Sequence, residues 1–516
     1  MLSRIFSQFT GRGPAVPAPA QALPASRSAE PAAAVVGLGV HAQLRIWVRS
    51  SPYPAYDLYE LLADPVRAQA AALIASRGDV SLLEPLLRQL VEREDSAPVD
   101  QMLLAEALFT RGAPAQAEEA LLTAAALPGR IAARACVLLG ERLFYEGRFD
   151  QAHAMIERAA ALAPEAMLCQ ILLGLWCDYE GRTAAALTHF QRAVDARPDS
   201  VDARVGLAMA WLRCDDLQAG FREWVTAEYL AGSYKQQTVC PVWDGRPLLR
   251  DRLLIQTVNY FGDIIQFLRY AHHLRAREPE ARLSIVVPAA LASLAADTGL
   301  FEHVYTGAAA REGFDWQVTQ THLALLLDVP LQGLTRYEPY LRIPAAHAQL
   351  AAAWLPARRP GRLRVGLRWA GLPKAIDRKR SVPFDCLRPL FAVPDIDWVA
   401  LVEDPAALAG LGAHPMLDVC AHLSDFAATG ALLLHLDLII TVDTSMVHLA
   451  GALQRPTWLL ARPDPEWRWG ATADHSPWYS SVRIFRHPQG LDWNASVAVV
   501  ARALALHVAA GKQVVS

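Results

Sequence analysis

Asp437-Leu438-Ile439-Ile440-Thr441-Val442-Asp443-Thr444-Ser445-Met446-Val447-His448-Leu449-Ala450-Gly451 reads as one strand–turn–helix unit. The apolar run from Leu436 to Val442 has the length of a buried strand. Asp443, Thr444 and Ser445 then occupy the turn into a helix. Free backbone N–H groups there and the two hydroxyls of Thr444 and Ser445 form a cradle suited to a phosphate, and the helix dipole adds to that attraction. His448 follows Thr444 by four residues, so the two share a helix face. The alternative reading is structural: Asp443 or Thr444 caps the helix and His448 is a core histidine.

The same rhythm extends in both directions. Strand-length apolar runs occur at Leu253 to Val258, Leu283 to Val287, Leu363 to Trp369, Trp398 to Val402 and Thr457 to Leu460, with helical patterns between them. Alternation of this kind implies βαβ units and parallel sheets. An Ala/Pro/Arg-rich connection over about 344–362 separates two lobes, placed at 250–345 and 360–516. Two doubly wound, Rossmann-like lobes put a ligand cleft between their carboxyl-edge loops. Neither first strand is followed by G-x-G-x-x-G, which argues against a dinucleotide-dependent oxidoreductase.

Upstream the periodicity changes to about 34 residues. Gly78, Gly112, Gly147 and Gly181 are spaced by 34, 35 and 34, and one more period reaches Asp215. Leu122, Ile156, Phe190 and Trp224 form a second column, and Ala125, Ala159, Ala193 and Ala227 a third. Ala152 pairs with Ala186 and Pro164 with Pro198. Each unit reads as two helices broken by a glycine and closed by a proline. This pattern resembles the tetratricopeptide repeat, and 41–235 is assigned to such an α-helical solenoid, whose concave face suits a protein or peptide. Residues 1–40, rich in Ala, Pro and Ser, read as a disordered tail.

Composition narrows the function classes. The 516 residues carry a net charge of -3, so no basic excess points to nucleic acid. No run of about 20 apolar residues predicts a membrane span. Seven scattered cysteines without a C-x-x-C pair suggest reduced thiols and a cytoplasmic location. No His or carboxylate spacing matches a metal site, and no cofactor is expected.

The second half is similar to glycosyltransferase family 9, the heptosyltransferase-like family of GT-B fold, and more closely to bacterial proteins joining such a domain to tetratricopeptide repeats. The similarity covers about Asp251 to Leu504 and rests on several motifs. They are Asp443-Thr444-x-x-x-His448-Leu449-Ala450-Gly451-Ala452-Leu453, Pro465-Glu466-Trp467-Arg468-Trp469, Ser476-Pro477-Trp478-Tyr479, Trp369-Ala370-Gly371-Leu372-Pro373, and Asp377-Arg378-Lys379-Arg380-Ser381-Val382-Pro383.

The resemblance implies that Asp443, Thr444, Ser445 and His448 bind a nucleotide-sugar diphosphate. It also implies that Arg380, followed by Ser381, contacts a donor phosphate, as a guanidinium fork can. Trp467, Trp469, Trp478 and Tyr479 are candidates to stack on a sugar or base, with core packing the alternative for half of them, and Trp369 is a further donor-site candidate. In the first lobe Gly262-Asp263 matches the family's G-x-G-D turn, and Asp263 stands where the general base is read. The first glycine of that turn is replaced by Tyr260, and Val258-Asn259 replace an acidic-amide pair. Leu372 stands where relatives carry Asn.

The expected function is inverting transfer of a sugar from a nucleotide-sugar donor to a protein or glycan acceptor presented by the repeats. The alternative, raised by Tyr260, is a non-catalytic repeat scaffold with a degenerate transferase domain.

Overall fold

The computed structural model describes residues 64–76, 83–93, 96–127, 129–232, 240–257, 260–307, 313–371, 380–402, 416–423, 425–462, 466–470, 473–487 and 492–513. The tail reading over 1–40, Gly78, Val258-Asn259, the stretch 372–379 and Pro465 lie outside the described residues. The described chain divides into two compact units, one of 64–178 with 184–206 and one of 179–183 with 207–513.

The repeat segment is a series of short helices: α1 (Pro65–Ser76), α2 (Glu84–Val91), α3 (Pro98–Arg111), α4 (Pro114–Ala126), α5 (Gly129–Glu146), α6 (Phe149–Leu162), α7 (Met167–Tyr179), α8 (Thr183–Ala196), α9 (Val201–Arg213) and α10 (Leu217–Leu230). The glycine column has a backbone cause. Gly112, Gly147, Gly181 and Asp215 all have positive φ, at 81°, 80°, 75° and 61°, and each follows the first helix of its pair. Glycine adopts that conformation without strain and Asp is among the few side chains that tolerate it. The 34-residue period is therefore a period of left-handed helix ends.

One column shifts. Leu122 is exposed, whereas Leu121 and Ala124 are buried, in register with Ile156 and Ala159. The 35-residue step from Gly112 to Gly147 moves the buried stripe back by one position. Further along, the Phe190 ring wedges against two glycines: a Cβ on Gly174 or Gly206 would lie 2.8 or 2.4 Å from it. Small residues there let helices approach around one large ring.

The α/β unit holds two parallel sheets. The first contains β1 (Arg252–Gln256), β2 (Arg282–Val287), β3 (His303–Thr306) and β4 (Trp316–Thr319), in the order β3-β2-β1-β4. Between β1 and β2 run α11 (Phe261–Phe267) and α12 (Arg269–Arg277), and α13 (Gln320–Leu327) follows β4. The connection contains α14 (Ala345–Ala352).

The second sheet contains β5 (Leu363–Arg368), β6 (Ile396–Ala400), β7 (Met416–Asp418), β8 (Leu438–Val442), β9 (Thr457–Ala461) and β10 (Val482–Arg486). Its order is β10-β9-β8-β5-β6-β7, all parallel. β8 and β9 are buried along their whole length, as strands covered on both faces must be. α15 (Phe426–Leu433) precedes β8, and α16 (Ser445–Ala452) follows it. In both sheets the chain reverses its direction of growth beside the first strand, between β1 and β4 and between β5 and β8. Those two switch points are where α/β folds form ligand crevices.

Among the described residues one helix, α17 (Trp493–Gln513), is long and apolar enough over Trp493–Ala510 to cross a membrane by length and composition. Its residues Trp493, Val497, Val500, Leu504 and Val508 pack into the core of the second lobe with Val365, Leu438 and Trp458.

Candidate functional site

The turn after β8 is built by its own sequence. Val442 ends a fully buried strand, and Thr444 in extended geometry is the N-cap of α16, its Oγ1 accepting from the Met446 N–H at 3.3 Å. Asp443 and Thr444 are buried. Burial and the like charge of Glu466 push the Asp443 carboxyl up to about 6, against the opposing pull of Arg380 and Arg462. Arg380 donates from Nη1 to the Asp443 carbonyl at 3.0 Å. Ser381 Oγ accepts from the Gly371 N–H at 3.3 Å, tying the segment that carries Arg380 to the chain just past β5.

From the first lobe, α11 approaches this turn. Tyr260 is its N-cap in extended geometry, and Asp263 in the first turn accepts the Tyr260 N–H through Oδ2 at 3.2 Å. Tyr260 is partly exposed near Arg380, and burial raises its phenol to about 12. The replaced glycine therefore does not prevent a regular helix start, because the position has a negative φ of -73° that any residue adopts. The close approach falls instead at Gly262: a Cβ there would lie 2.7 Å from His448 Cδ2. Gly262 is what lets α11 and α16 pack against each other.

His448 is buried, with Nδ1 2.8 Å from the Tyr479 hydroxyl. Burial, reinforced by the Arg269 guanidinium, pushes its imidazole down to about 3 and keeps it neutral. Trp469 packs beside it, ring centroids 5.4 Å apart, and also beside Tyr479 at 6.3 Å.

Sequence reading missed two arginines that bridge the lobes. Arg269 on α12 is fully buried and, among the described residues, pairs with no carboxylate. It donates to the Trp478 carbonyl at 2.6 Å, the Leu334 carbonyl at 3.2 Å and the Tyr340 hydroxyl at 3.4 Å. The rings of Tyr340, Trp478 and Tyr479 surround its guanidinium at 4.7 to 5.3 Å. Arg468 forms a buried ion pair with Asp263 and donates from Nε to Gln266 Oε1 at 2.6 Å. In the sequence Arg468 stands out through its place between two tryptophans in the Pro465-Glu466-Trp467-Arg468-Trp469 motif, which names no partner for it.

The structure thus brings Gly262, Asp263, Tyr260, Arg380, Asp443, Thr444, His448 and Trp469 to one junction, with Ser445 opening α16. The rings of Trp369 and Trp467 are packed into the core, Trp467 beside Arg468. Trp369 is a core residue of the second lobe, packed edge-on against Phe384 at 5.5 Å. Trp467 is buried against Trp478, Phe221 and Trp224, at 5.2, 6.2 and 6.3 Å. Both rings are enclosed by neighbouring side chains, so neither offers the face that stacking on a sugar or base requires. Among the described residues no group of three His, Cys, Asp or Glu side chains is placed to hold a metal ion.

The family model for glycosyltransferase family 9 (heptosyltransferase) matches residues 405–490, and that for the tetratricopeptide repeat matches 178–234. Protein FlbA of Caulobacter vibrioides is 29% identical over 290 residues, which are 51% of this chain and 48% of FlbA, so the match spans about half of that relative. Among solved structures, a glycosyl transferase family 9 protein from Veillonella parvula aligns with 52% of this chain and 99% of its own, at 10% identity and TM-score 0.38. The E. coli ADP-heptose LPS heptosyltransferase II aligns with 50% of this chain and 99% of its own, at 15% identity and TM-score 0.37. The fold itself rests on the strand order and register described above. This chain carries tetratricopeptide repeats followed by a glycosyltransferase family 9 domain.

Proposed function

We propose that the protein transfers a sugar from a nucleotide-sugar donor to a protein or glycan acceptor, with inversion at the sugar carbon. One observation supports this reading most. A carboxylate at the first strand–helix turn of one lobe (Asp263) and a phosphate-type turn in the other (Asp443 to Ser445, with Arg380) meet at a single junction, through Gly262 against His448.

In this reading Asp263 takes the proton of the acceptor hydroxyl as its oxygen bonds to the anomeric carbon. The bond from that carbon to the diphosphate breaks with its electron pair on the leaving oxygen. Arg380 and the first-turn N–H groups of α16 stabilise the departing charge. Neutral His448 adds packing without a second positive charge. The nucleotide sugar is the co-substrate and no cofactor takes part. The repeats present the acceptor, and the site works in the cytoplasm, where the seven unbridged cysteines remain thiols.

The test measures nucleoside diphosphate release from ADP-heptose, UDP-glucose, UDP-N-acetylglucosamine and GDP-mannose, with water as acceptor, for wild type and Asp263→Asn. Release with one donor, reduced by about 100-fold or more in Asp263→Asn, is expected for loss of a general base. Equal release by both proteins removes Asp263 from that role. A second reading, a repeat scaffold with an inactive transferase domain, is favoured by the buried pairing of Asp263 with Arg468. Absence of binding to all four donors by calorimetry supports it over transfer.

A further inference from the structure

Arg468 stands in the second lobe, between Trp467 and Trp469, and its guanidinium is held on every side. One Nη meets Asp263 Oδ1, Nε meets Gln266 Oε1 at 2.6 Å, and the other Nη lies 3.4 Å from Glu466 Oε2. The Trp467 ring covers its face, 4.7 Å from centroid to Cζ. Asp263 and Gln266 both belong to α11 of the first lobe, more than 200 residues away in sequence. With Oδ2 of Asp263 already accepting from Tyr260, both carboxylate oxygens are fixed, one by each lobe.

Two features of this arrangement exceed what stability requires. A buried Arg–carboxylate pair is commonly no more stabilising than apolar side chains of the same volume, because both charges lose their hydration. Burial indeed lowers the Arg468 guanidinium to about 10. In addition, Gln266 must turn its oxygen to Arg468, and its buried Nε2 then has no acceptor among the described residues. An unsatisfied buried donor kept in place for an orientation is the mark of a positioned group rather than of an optimised core.

Glu466 links the same guanidinium to the donor side. Its other oxygen accepts from Arg462, 3.3 Å away, at the carboxyl end of β9 beside the Asp443 turn. An unbroken chain of charge contacts therefore runs Arg462, Glu466, Arg468, Asp263.

We propose that Arg468 is a positioning residue for Asp263, through which the nucleotide-sugar lobe sets the orientation of the carboxylate in the acceptor lobe. The proposal rests on the reading of Asp263 as the general base. Arg468 acts through the Asp263 carboxylate rather than on either substrate. It acts by holding the Asp263 lone pair in line, and a misplacement of about 1 Å in such a group costs about 100-fold in rate.

The test uses the full chain with Arg468→Met, Arg468→Lys and Asp263→Asn/Arg468→Met. Nucleoside diphosphate release is followed from the same four nucleotide sugars. Affinity for ADP, UDP and GDP is measured by calorimetry, and near-ultraviolet circular dichroism of the flanking tryptophans reports folding. The expected result is a fall in kcat of about 100-fold for Arg468→Met, with nucleotide affinity and donor KM unchanged within about threefold. Arg468→Lys recovers part of that loss, because it keeps the charge without the fork. The double variant turns over no more slowly than Asp263→Asn alone.

Should Arg468→Met fail to fold, Arg468→Lys carries the test, with a fall of at least about tenfold in kcat at unchanged affinity. Equal losses in kcat and affinity, or a double variant whose loss is the product of the two single losses, overturn the positioning role. Full activity in Arg468→Met does the same while leaving Asp263 as the base. If Asp263→Asn is fully active, or the wild type turns over none of the four donors, the base reading itself fails and takes this proposal with it.

Discussion

Gly262 is the residue on which the junction of the two lobes turns. It sits in the first turn of α11, in a helix where any small residue would satisfy the backbone, yet its missing side chain is the space that His448 occupies. Gly262→Ala places a Cβ 2.7 Å from the imidazole, which is closer than carbon atoms approach. The His448 ring is held by Tyr479 and packed by Trp469, so it has little freedom to yield. The expected cost is about 1–3 kcal/mol, the range for overpacking a dense core. Urea denaturation of Gly262→Ala and of Gly262→Ala/His448→Ala checks it. The double variant should cost less than the sum of the two single changes, since each removes the reason for the other's penalty. Additive losses would show that the strain is relieved elsewhere.

At the scale of elements, α10 is a helix with two allegiances. Its sequence continues the repeat, with Trp224 and Ala227 in the columns of Phe190 and Ala193. Its packing belongs to the α/β unit. Phe221 meets Phe267, Tyr270 and Trp467, Gln218 donates to the Leu325 carbonyl at 3.1 Å, and Glu228 accepts from the Thr319 hydroxyl at 2.9 Å.

Glu228 is wholly buried, and burial raises its carboxyl from 4.5 to about 7, with the hydroxyls of Thr319 and Thr321 pulling the other way. A raised carboxyl means that the folded chain holds the proton more tightly than the unfolded one. This contribution is therefore complete below about 4.5 and is lost as pH climbs towards 7. Glu228→Gln should remove the loss. Its Tm should exceed that of the wild type at pH 8 and match it near pH 4, a difference of at most about 3 kcal/mol. A Tm gap that does not change with pH would mean that Glu228 stays ionised in the folded chain.

For the whole molecule, the boundary that matters is not where the repeat pattern stops. Apart from the short piece 179–183, the compact unit containing both sheets runs from the middle of α9, at Leu207, and takes α10 with it. A chain of residues 207–516 should therefore unfold in a single cooperative transition. A chain of 240–516 lacks Phe221 and Trp224, leaving Trp467, Phe267 and Tyr270 without their cover, and an apolar patch of that kind promotes association. Size-exclusion chromatography and thermal melts of the two chains compare them directly. If 240–516 is monomeric and melts at the same temperature, α10 adds nothing to the α/β unit.

Features that depend on near neighbours are legible in the chain before it folds. The 34-residue column of Gly112, Gly147, Gly181 and Asp215 is legible because a left-handed helix end restricts the residue at that very position, whatever packs around it. The buried strands β5, β8 and β9 and the Asp443-Thr444-Ser445 turn are legible for the same reason, as apolar runs and cap residues answer to their own element. Strands β3, β4, β7 and β10 are not legible in the sequence, being short or composed of residues that do not stand out as apolar runs.

The remaining features come from long-range packing. Trp369, Trp467 and Trp469 look alike in sequence, yet one fills a sheet core, one locks α10 in place and one lies beside His448. Arg468 meets Asp263 across 205 positions, and no local rule of composition or spacing anticipates that pair. Contacts between distant segments are set by which sheet edges and helix faces the topology brings together, and a side chain's chemistry then depends on partners that its neighbours in sequence do not name.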